Sequence, residues 1–457
     1  MTRAESSETS RTAQRRRDGL YLLGLGCLVF VLLGLVIERA SPTSMVDFKM
    51  QFYAARCLLQ HADPYVEANV LQVYRAGGEM GPNEFIRGRE VIIRYDYLPN
   101  LFTFIAPMAL LPIGVASFLI VAANVAGLII AAYLVWSLGA DYAPILSGAL
   151  IGLMLANSEL IVSAGNVAGI AISLCAVFVW CMVRGKQSAL GVVCMAVSLA
   201  LKPHLVGMVW LYFVLTGRTH RKRALQALAL TVVLGLPGVI WVSIVAPHWI
   251  QELHANLLTY SMRGGLNDPG PNSGGAHRLA MMVNLQTAVS FIWDDPRFYN
   301  PVTYAICGSL LAAWAWASIH WRRAKDRLWP ALAAVSALAM LPIYHRTLDT
   351  KLLLLMVPAC ALLWARGGTI GKAGAVLTVT VFVLTGDMTW VVILTGIGHL
   401  PLPNSGLPGE LMNAVQILPT PLSLLAAGCF YLWVFMRGST EHAAGVNSSS
   451  QEADQIA

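Results

Sequence analysis

The chain has 457 residues, of which 57% are hydrophobic and 12% charged, and its mean hydropathy is +0.63. Soluble domains carry about twice that charged fraction, and a helix needs about 20 apolar residues to cross a bilayer. The composition therefore excludes an ordinary soluble protein and predicts an all-α, polytopic membrane protein.

The net charge of +7 is concentrated in basic clusters that separate apolar runs. These clusters lie at 15–17, 184–186, 218–223, 322–327, 366–372 and 437. Such a distribution is typical of cytoplasmic loops under the positive-inside rule, so the charge reports topology and predicts no nucleic-acid partner.

Taken in chain order, residues 1–18 are predicted to be a disordered cytoplasmic tail, 19–437 a single transmembrane domain, and 438–457 a second disordered cytoplasmic tail. The first span covers 19–40, and long external loops are predicted at 41–97 and 247–300. Further apolar segments lie at 98–111, 113–139, 142–156, 166–183, 188–201, 204–216, 225–246, 301–320, 329–343, 352–365, 373–396 and 419–436. Because both chain ends carry cytoplasmic signals, one short segment must fail to cross, which leaves about twelve transmembrane helices.

The first external loop opens with SPTSMVDFKMQFYAARCLLQHADPY, from Ser41 to Tyr65. The apolar residues after Asp47 recur at helical spacing, which predicts an amphipathic helix in the membrane interface. Asp47 stands at the start of that helix. The spacing leaves open whether this carboxylate caps the helix or has a chemical role.

Polar residues also interrupt the apolar runs in SAGNVAG, LALKPHL and LPIYHRTLDTKLL. The residues concerned are Asn166, Lys202, His204, His345, Arg346 and Asp349. Ionisable groups at membrane depth are costly, so they are candidates for function. For the last cluster, the alternative is an internal ion pair that holds two helices together.

A lysine, a histidine and an arginine on the outer side suit a phosphate, and a carboxylate at the same depth can act as a base. That combination fits an enzyme that uses a sugar linked to a lipid phosphate. The sequence has no DxD pair for a metal–nucleotide sugar, no Walker A loop and no HExxH motif. We therefore expect a lipid-linked donor, with no metal and no cofactor.

Five stretches, spread in order over residues 20–435, together resemble the membrane glycosyltransferases of family 87 (GT87). The stretches are VDFKMQFYAARCLLQHADPY, YDYLPNLFTFIAPMALLP, SAGNVAGIAISL, SLALKPHL and LPIYHRTLDTKLLL. The resemblance implies a GT-C glycosyltransferase fold in a bacterial inner membrane, with the active site facing the periplasm or exterior. It further implies inverting transfer of mannose, or of arabinofuranose in some relatives, from a polyprenyl phosphate to a glycolipid or glycan.

The resemblance also assigns roles to residues. Asp47 is expected to be the general base and His345 to lie beside the donor phosphate, a role extended on charge grounds to Arg346 and Lys202. The predicted substrate-binding residues are Tyr53, Tyr95, Tyr97, Asn166, His204 and Asp349.

The sequence departs from the family pattern at Leu98–Pro99, His61 and Ala164, which leaves the acceptor and the sugar open. A transporter or flippase for lipid-linked sugars is an alternative, although such proteins usually contain an internal repeat, which this sequence lacks. A non-catalytic scaffold is a second alternative.

Overall fold

The computed structural model describes residues 3–40, 44–77, 86–271, 281–320, 327–389, 392 and 414–454. Within these ranges the backbone is helices and connecting loops, and the only β pairing is an isolated bridge between Met282 and Arg346. The prediction of an all-α membrane protein is confirmed.

The helices up to the middle of the chain are α1 (Arg3–Ala40), α2 (Val46–Leu59), α3 (Glu67–Ala76), α4 (Ile86–Ile93), α5 (Phe102–Ala109), α6 (Ile113–Gly139), α7 (Pro144–Leu155), α8 (Glu159–Ala164), α9 (Ala168–Arg184), α10 (Ser188–Leu201) and α11 (Pro203–Leu215). The later helices are α12 (Arg218–Val245), α13 (Trp249–Ser261), α14 (Leu285–Val289), α15 (Pro296–His320), α16 (Leu328–Leu338), α17 (Val357–Arg366), α18 (Gly368–Leu384) and α19 (Pro419–Asp454). Short 3-10 helices at Pro99–Leu101 and Asp349–Met356 precede α5 and α17.

Five helices of the described chain are long and apolar enough to cross a membrane: α1, α6, α12, α15 and α19. Six shorter apolar helices, α7, α9, α10, α11, α16 and α18, pack among them. The 3-10 helix Asp349–Met356 continues directly into α17.

Helix α5 has 8 residues, which is too short to cross a bilayer. Leu101, just before it, lines the cavity described below, and its last carbonyls remain close to α2 at the same end of the bundle. Arg56 of α2 donates to the carbonyl oxygens of Ala109 and Leu111 at 3.2 and 3.1 Å. The predicted segment 98–111 therefore lies beside α2, and the count of about twelve membrane crossings stays a prediction.

A basic cluster marks the opposite end of the bundle. Arg16 and Arg184 both pair with Asp141, at 3.2 and 2.9 Å. Since all three side chains are partly exposed, these pairs contribute about 1 kcal/mol or less each. Helix α9 separates Arg184 of this cluster from Asn166, which lines the cavity just before the helix starts, so the cavity lies at the other end of that helix.

The helical backbone extends into both segments predicted as tails, since α1 begins at Arg3 and α19 runs to Asp454. The domain limits themselves stay a prediction. Parts of the two predicted external loops, 41–43, 78–85 and 272–280, lie outside the described residues, and so does 393–413.

Helices α1 and α7 approach each other through glycines. A Cβ at Gly26 would overlap the backbone of Gly152, and a Cβ at Gly148 would overlap that of Gly19. The absence of side chains lets the two backbones touch, as in small-residue interfaces of membrane helices. This contact fixes α7, and through it the short helix α8 that leads to the cavity.

Helix α2 confirms the helix predicted after Asp47, but more of its side chains are buried than the amphipathic spacing predicts. Phe48, Phe52 and Leu58 are fully buried, and so is Gln51 from the predicted polar face. Helices α3, α4 and α5 all pack against it. The element that carries Asp47 is therefore held from several sides.

Candidate active site

A cavity of about 530 Å³ opens at the end of the bundle away from the basic cluster. Its walls come from the first turn of α2, the α10–α11 junction, helix α13 and the loop before the second 3-10 helix. Seven of the predicted site residues line it: Asp47, Tyr97, Asn166, Lys202, His204, Arg346 and Asp349. Such a volume is in the range of small-molecule sites.

Asp47 lies in the first turn of α2, but Met45 occupies the N-cap position, and no side chain caps this helix. The Asp47 carboxylate instead accepts a hydrogen bond of 2.6 Å from Asn166 Nδ2. Burial raises the pKa of Asp47, while the Asn166 hydrogen bond and the charges of Arg346 and Lys202 act against that rise. The side chain is thus directed into the cavity and does not serve as a helix cap.

Asn166 connects Asp47 to the start of α9. Its Oδ1 accepts from the backbone N–H of Ala168 at 2.8 Å, which orients the amide so that Nδ2 faces Asp47. The preceding Gly165 has φ +66°, and a Cβ there would come within 2.8 Å of Phe48 Cβ. The glycine lets the α8–α9 junction approach α2, so the SAGN sequence builds this side of the site.

Lys202 is the junction residue between α10 and α11. Pro203 cannot continue α10 and begins α11, and this break leaves the lysine at the cavity wall. Lys202 Nζ donates to Asp349 Oδ1 at 2.5 Å, and both residues are about 5% exposed or less. A cation held so close to one carboxylate oxygen is only partly available to a substrate anion.

His345 lies behind Asp349 and does not line the cavity. Its Nδ1 is 2.9 Å from Asp349 Oδ2, and the side chain is fully buried. Asp349 thus contacts both Lys202 and His345, so its carboxylate connects the α10–α11 junction to its own loop. His204 packs its ring 5.3 Å from that of His345.

The loop that carries His345 and Arg346 is held by backbone hydrogen bonds to residues 281–285. His345 O accepts from Val283 N at 3.1 Å, and Thr347 N donates to Met281 O at 3.0 Å. Pairing on both sides of Arg346 fixes its backbone, so the loop presents the guanidinium at a defined position.

Arg346 is the cavity cation that has no carboxylate within 4 Å among the described residues. Its Nε donates to the hydroxyl of Tyr344, and its guanidinium carbon is 5.6 Å from the centre of the Tyr344 ring. Its Nη2 is buried and has no hydrogen-bond partner in the described chain. A planar group with a free donor of this kind matches a phosphate oxygen.

Two of the predicted substrate-binding tyrosines do not line the cavity. Tyr53 packs against Tyr74 at 4.8 Å between ring centres, and Tyr95 packs against Phe102 at the same distance. Both are buried within the assembly of the first external loop. They support the wall of the site from behind, whereas Tyr97 is part of its surface.

The structure adds residues that the sequence interpretation missed, above all Asp96, which lines the same cavity. Burial, followed by the nearby charge of Asp47, raises the pKa of Asp96 to about 7. The sequence signal that could have identified Asp96 is its carboxylate within the aromatic stretch YDYLP. Tyr344 was also missed, although it stands beside the predicted His345 and Arg346.

A cavity at the end of a helical bundle, in which a carboxylate faces an arginine and a lysine, is the arrangement expected of a membrane enzyme. The profile of glycosyltransferase family 87 matches residues 95–344, more than half of the chain. The chain belongs to this family and is a multi-pass membrane glycosyltransferase, which acts in the lipid bilayer on a sugar donor and an acceptor.

The matched range contains Tyr97, Asn166, Lys202 and His204 and ends one residue before His345. Asp47 lies before it, so the family match does not cover the proposed base. Comparisons with curated proteins and with solved structures gave no significant match.

Proposed function

We propose that the enzyme transfers a sugar, most simply mannose, from a polyprenyl phosphate to a glycolipid or glycan outside the cytoplasm, with inversion. The observation that carries this proposal is the single cavity that brings the buried Asp47 carboxylate together with Arg346 and Lys202. Mannose follows from the family resemblance, and arabinofuranose by the same mechanism is the alternative.

The cavity surface supports a donor with one polar and one apolar part. Arg346 and Lys202 provide the cationic side, and the apolar wall includes Leu98, Leu201, Leu253, Leu257 and Leu348. A polyprenyl phosphate presents the same division, because its phosphate lies at the membrane surface and its chain in the hydrocarbon. In this proposal Arg346 and Lys202 contact the phosphate, while His345 acts through Asp349, which it holds in place.

The reaction proceeds as one displacement. The acceptor hydroxyl gives its proton to Asp47 as its oxygen bonds to the anomeric carbon of the donor sugar. The bond between that carbon and the phosphate oxygen breaks, and the electron pair leaves with the polyprenyl phosphate. Attack opposite the leaving group inverts the anomeric configuration, and the two cations stabilise the charge that develops on the phosphate.

The position of the cavity supports a reaction outside the cytoplasm. The pairs of Asp141 with Arg16 and Arg184 mark the opposite end of the bundle, and basic ends face the cytoplasm. We infer a bacterial inner-membrane enzyme with its cavity facing the periplasm or exterior. Because side-chain cations are proposed to neutralise the leaving phosphate, the reaction is expected to need no metal ion.

The test is sugar transfer by the purified protein in nanodiscs, with polyprenyl-phosphate mannose and polyprenyl-phosphate arabinofuranose as parallel donors. Asp47→Asn is compared with wild type and with Asp141→Asn, which removes an acid at the basic end. We expect transfer in the presence of chelator, a loss of about a hundred-fold or more in Asp47→Asn, and normal transfer in the control.

Retention of normal turnover by a folded Asp47→Asn protein would refute the base assignment. Loss of wild-type transfer on chelation would refute the metal-free mechanism. If wild type moved the intact donor across the bilayer without transferring the sugar, the flippase alternative would replace the proposal.

A further inference from the structure

Asp96 is a second carboxylate in the cavity, and the mechanism above does not use it. It lies between α4 and the 3-10 helix Pro99–Leu101, and it lines the cavity together with Asp47. One of its carboxyl oxygens is buried and has no hydrogen-bond partner in the described part of the chain. An unpaired polar atom in such a place is costly unless a ligand or water satisfies it.

The backbone on both sides of Asp96 is fixed. Asn256 of α13 donates to the carbonyl oxygen of Tyr95 at 3.0 Å, and the hydroxyl of Tyr65 donates to the carbonyl oxygen of Tyr97 at 2.9 Å. The Tyr95 ring is also packed against Phe102. The chain therefore holds Asp96 at the cavity wall instead of letting it turn toward bulk water.

The two carboxylates of the cavity have different surroundings. Asp47 accepts a hydrogen bond from Asn166, whereas Asp96 has no ion-pair partner within 4 Å among the described residues. Burial and the charge of Asp47 raise the pKa of Asp96 to about 7, and the charges of Lys202 and Arg346 only partly oppose this. A carboxyl group with its pKa raised in this way carries a proton closer to neutral pH than an ordinary aspartate does, and in that form it both donates and accepts hydrogen bonds. Paired carboxyl groups whose environments separate their pKa values commonly divide their roles.

We propose that Asp96 is a substrate-binding residue that hydrogen-bonds a hydroxyl group of the sugar on the donor or of the sugar on the acceptor. This inference rests on the proposed function, because it assumes that sugars occupy the cavity. Hydroxyl groups are the chemistry that sugars offer to a carboxyl group, and Asp96 lines the same cavity as the proposed base. The role is one of binding and orientation, and the proton of the reacting hydroxyl goes to Asp47.

The experiment measures kcat and KM separately for donor and acceptor in wild type, Asp96→Asn and Asp96→Ala, with Asp141→Asn as the control for loss of an acid elsewhere. An amide keeps both a donor and an acceptor, so Asp96→Asn should change either KM by less than about three-fold. Asp96→Ala loses the hydrogen bond and should raise one KM about ten-fold, with kcat within about three-fold of wild type. The substrate whose KM rises identifies the sugar that Asp96 contacts.

The inference is overturned if both KM values of Asp96→Ala stay within two-fold of wild type, or if Asp96→Asn is as impaired as Asp96→Ala. Size-exclusion profiles and thermal unfolding of each variant test folding, and Asp96→Ser replaces the alanine variant if that protein does not fold. If wild type itself neither transfers sugar nor is stabilised by the donor, the proposed function fails and this inference fails with it. Transfer by wild type with unchanged KM values in the variants refutes the role of Asp96 alone.

Discussion

Removal of the Asp349 carboxylate should destabilise the fold as well as the site. Lys202 Nζ is 2.5 Å from Asp349 Oδ1, and the two side chains are 7% and 5% exposed. In Asp349→Asn the ammonium of Lys202 stays buried without its carboxylate. Breaking one partner of a buried pair costs about 3–5 kcal/mol, so we expect a loss of that order in the free energy of unfolding.

A double-mutant cycle isolates the pair from other effects of the substitution. In Lys202→Met combined with Asp349→Asn, both charges are gone, and most of the stability lost in Asp349→Asn should return. The matched control is Glu67→Gln, since Glu67 pairs with Arg94 at the same 2.5 Å but with 40% and 19% exposure. An exposed pair of this kind contributes about 1 kcal/mol or less.

Unfolding of the purified variants by titration with a denaturing detergent, followed by tryptophan fluorescence, measures these free energies. The two ion pairs have the same N–O distance, so the difference in their burial should determine the difference in lost stability. If Asp349→Asn lost no more stability than Glu67→Gln, or if the losses of the two single variants simply added in the double variant, the buried pair would not have the stabilising role given to it here.

Three further predictions concern the cavity and the bundle. Arg346→Lys should raise the donor KM several-fold and lower kcat, because lysine keeps the charge but loses the planar donor pair. Arg346→Met, which also loses the charge, should have a stronger effect on both constants, and steady-state kinetics with varied donor concentration tests this. Burial raises the pKa of Asp47, so kcat/KM should fall on acidification at a higher pH than the usual value of 3.8 for an aspartate, as the base becomes protonated; a pH profile of the wild-type enzyme measures it. Gly26→Leu should destabilise the bundle by about 1–3 kcal/mol through overlap with Gly152, whereas Gly24→Leu, at a position with open space, should not; thermal unfolding of the two variants makes the comparison.

Much of the helical architecture could be predicted because the sequence marks where apolar helices end. The segment predicted at 188–201 is α10, and Pro203 and the basic residues after 217 delimit α11 as expected. Prediction was less accurate at 329–343, where the helix ends at Leu338 and an irregular loop follows. The apolar sequence MLPI continues the hydrophobic run there, so composition alone does not reveal the loop.

Contacts between distant segments account for what could not be predicted. Asp349 pairs with Lys202 across 147 positions in the chain, and no local pattern specifies that partner. The same holds for Tyr53 and Tyr95, whose sequence neighbourhoods resemble substrate-binding motifs but whose rings fill the packing behind the cavity wall. An aromatic residue near a cavity suits either role, and only the packing of α3 around Tyr53 and of α5 around Tyr95 decides between them.

The charges of the cavity distinguish the roles of its residues during the proposed reaction. Before transfer, negative charge is present on Asp47 and on the donor phosphodiester; after transfer, Asp47 holds a proton and the leaving phosphate has gained one negative charge. Arg346 and Lys202 therefore interact more strongly with the leaving phosphate than with the bound donor, and interactions of that kind lower the barrier. Loss of Arg346 should accordingly reduce kcat as well as donor affinity.

A hydroxyl group bound by Asp96 carries no new charge in the transition state, so loss of Asp96 should act on KM alone. Comparing the change in kcat with the change in KM for each variant therefore separates a residue that stabilises the leaving phosphate from one that only binds the sugar.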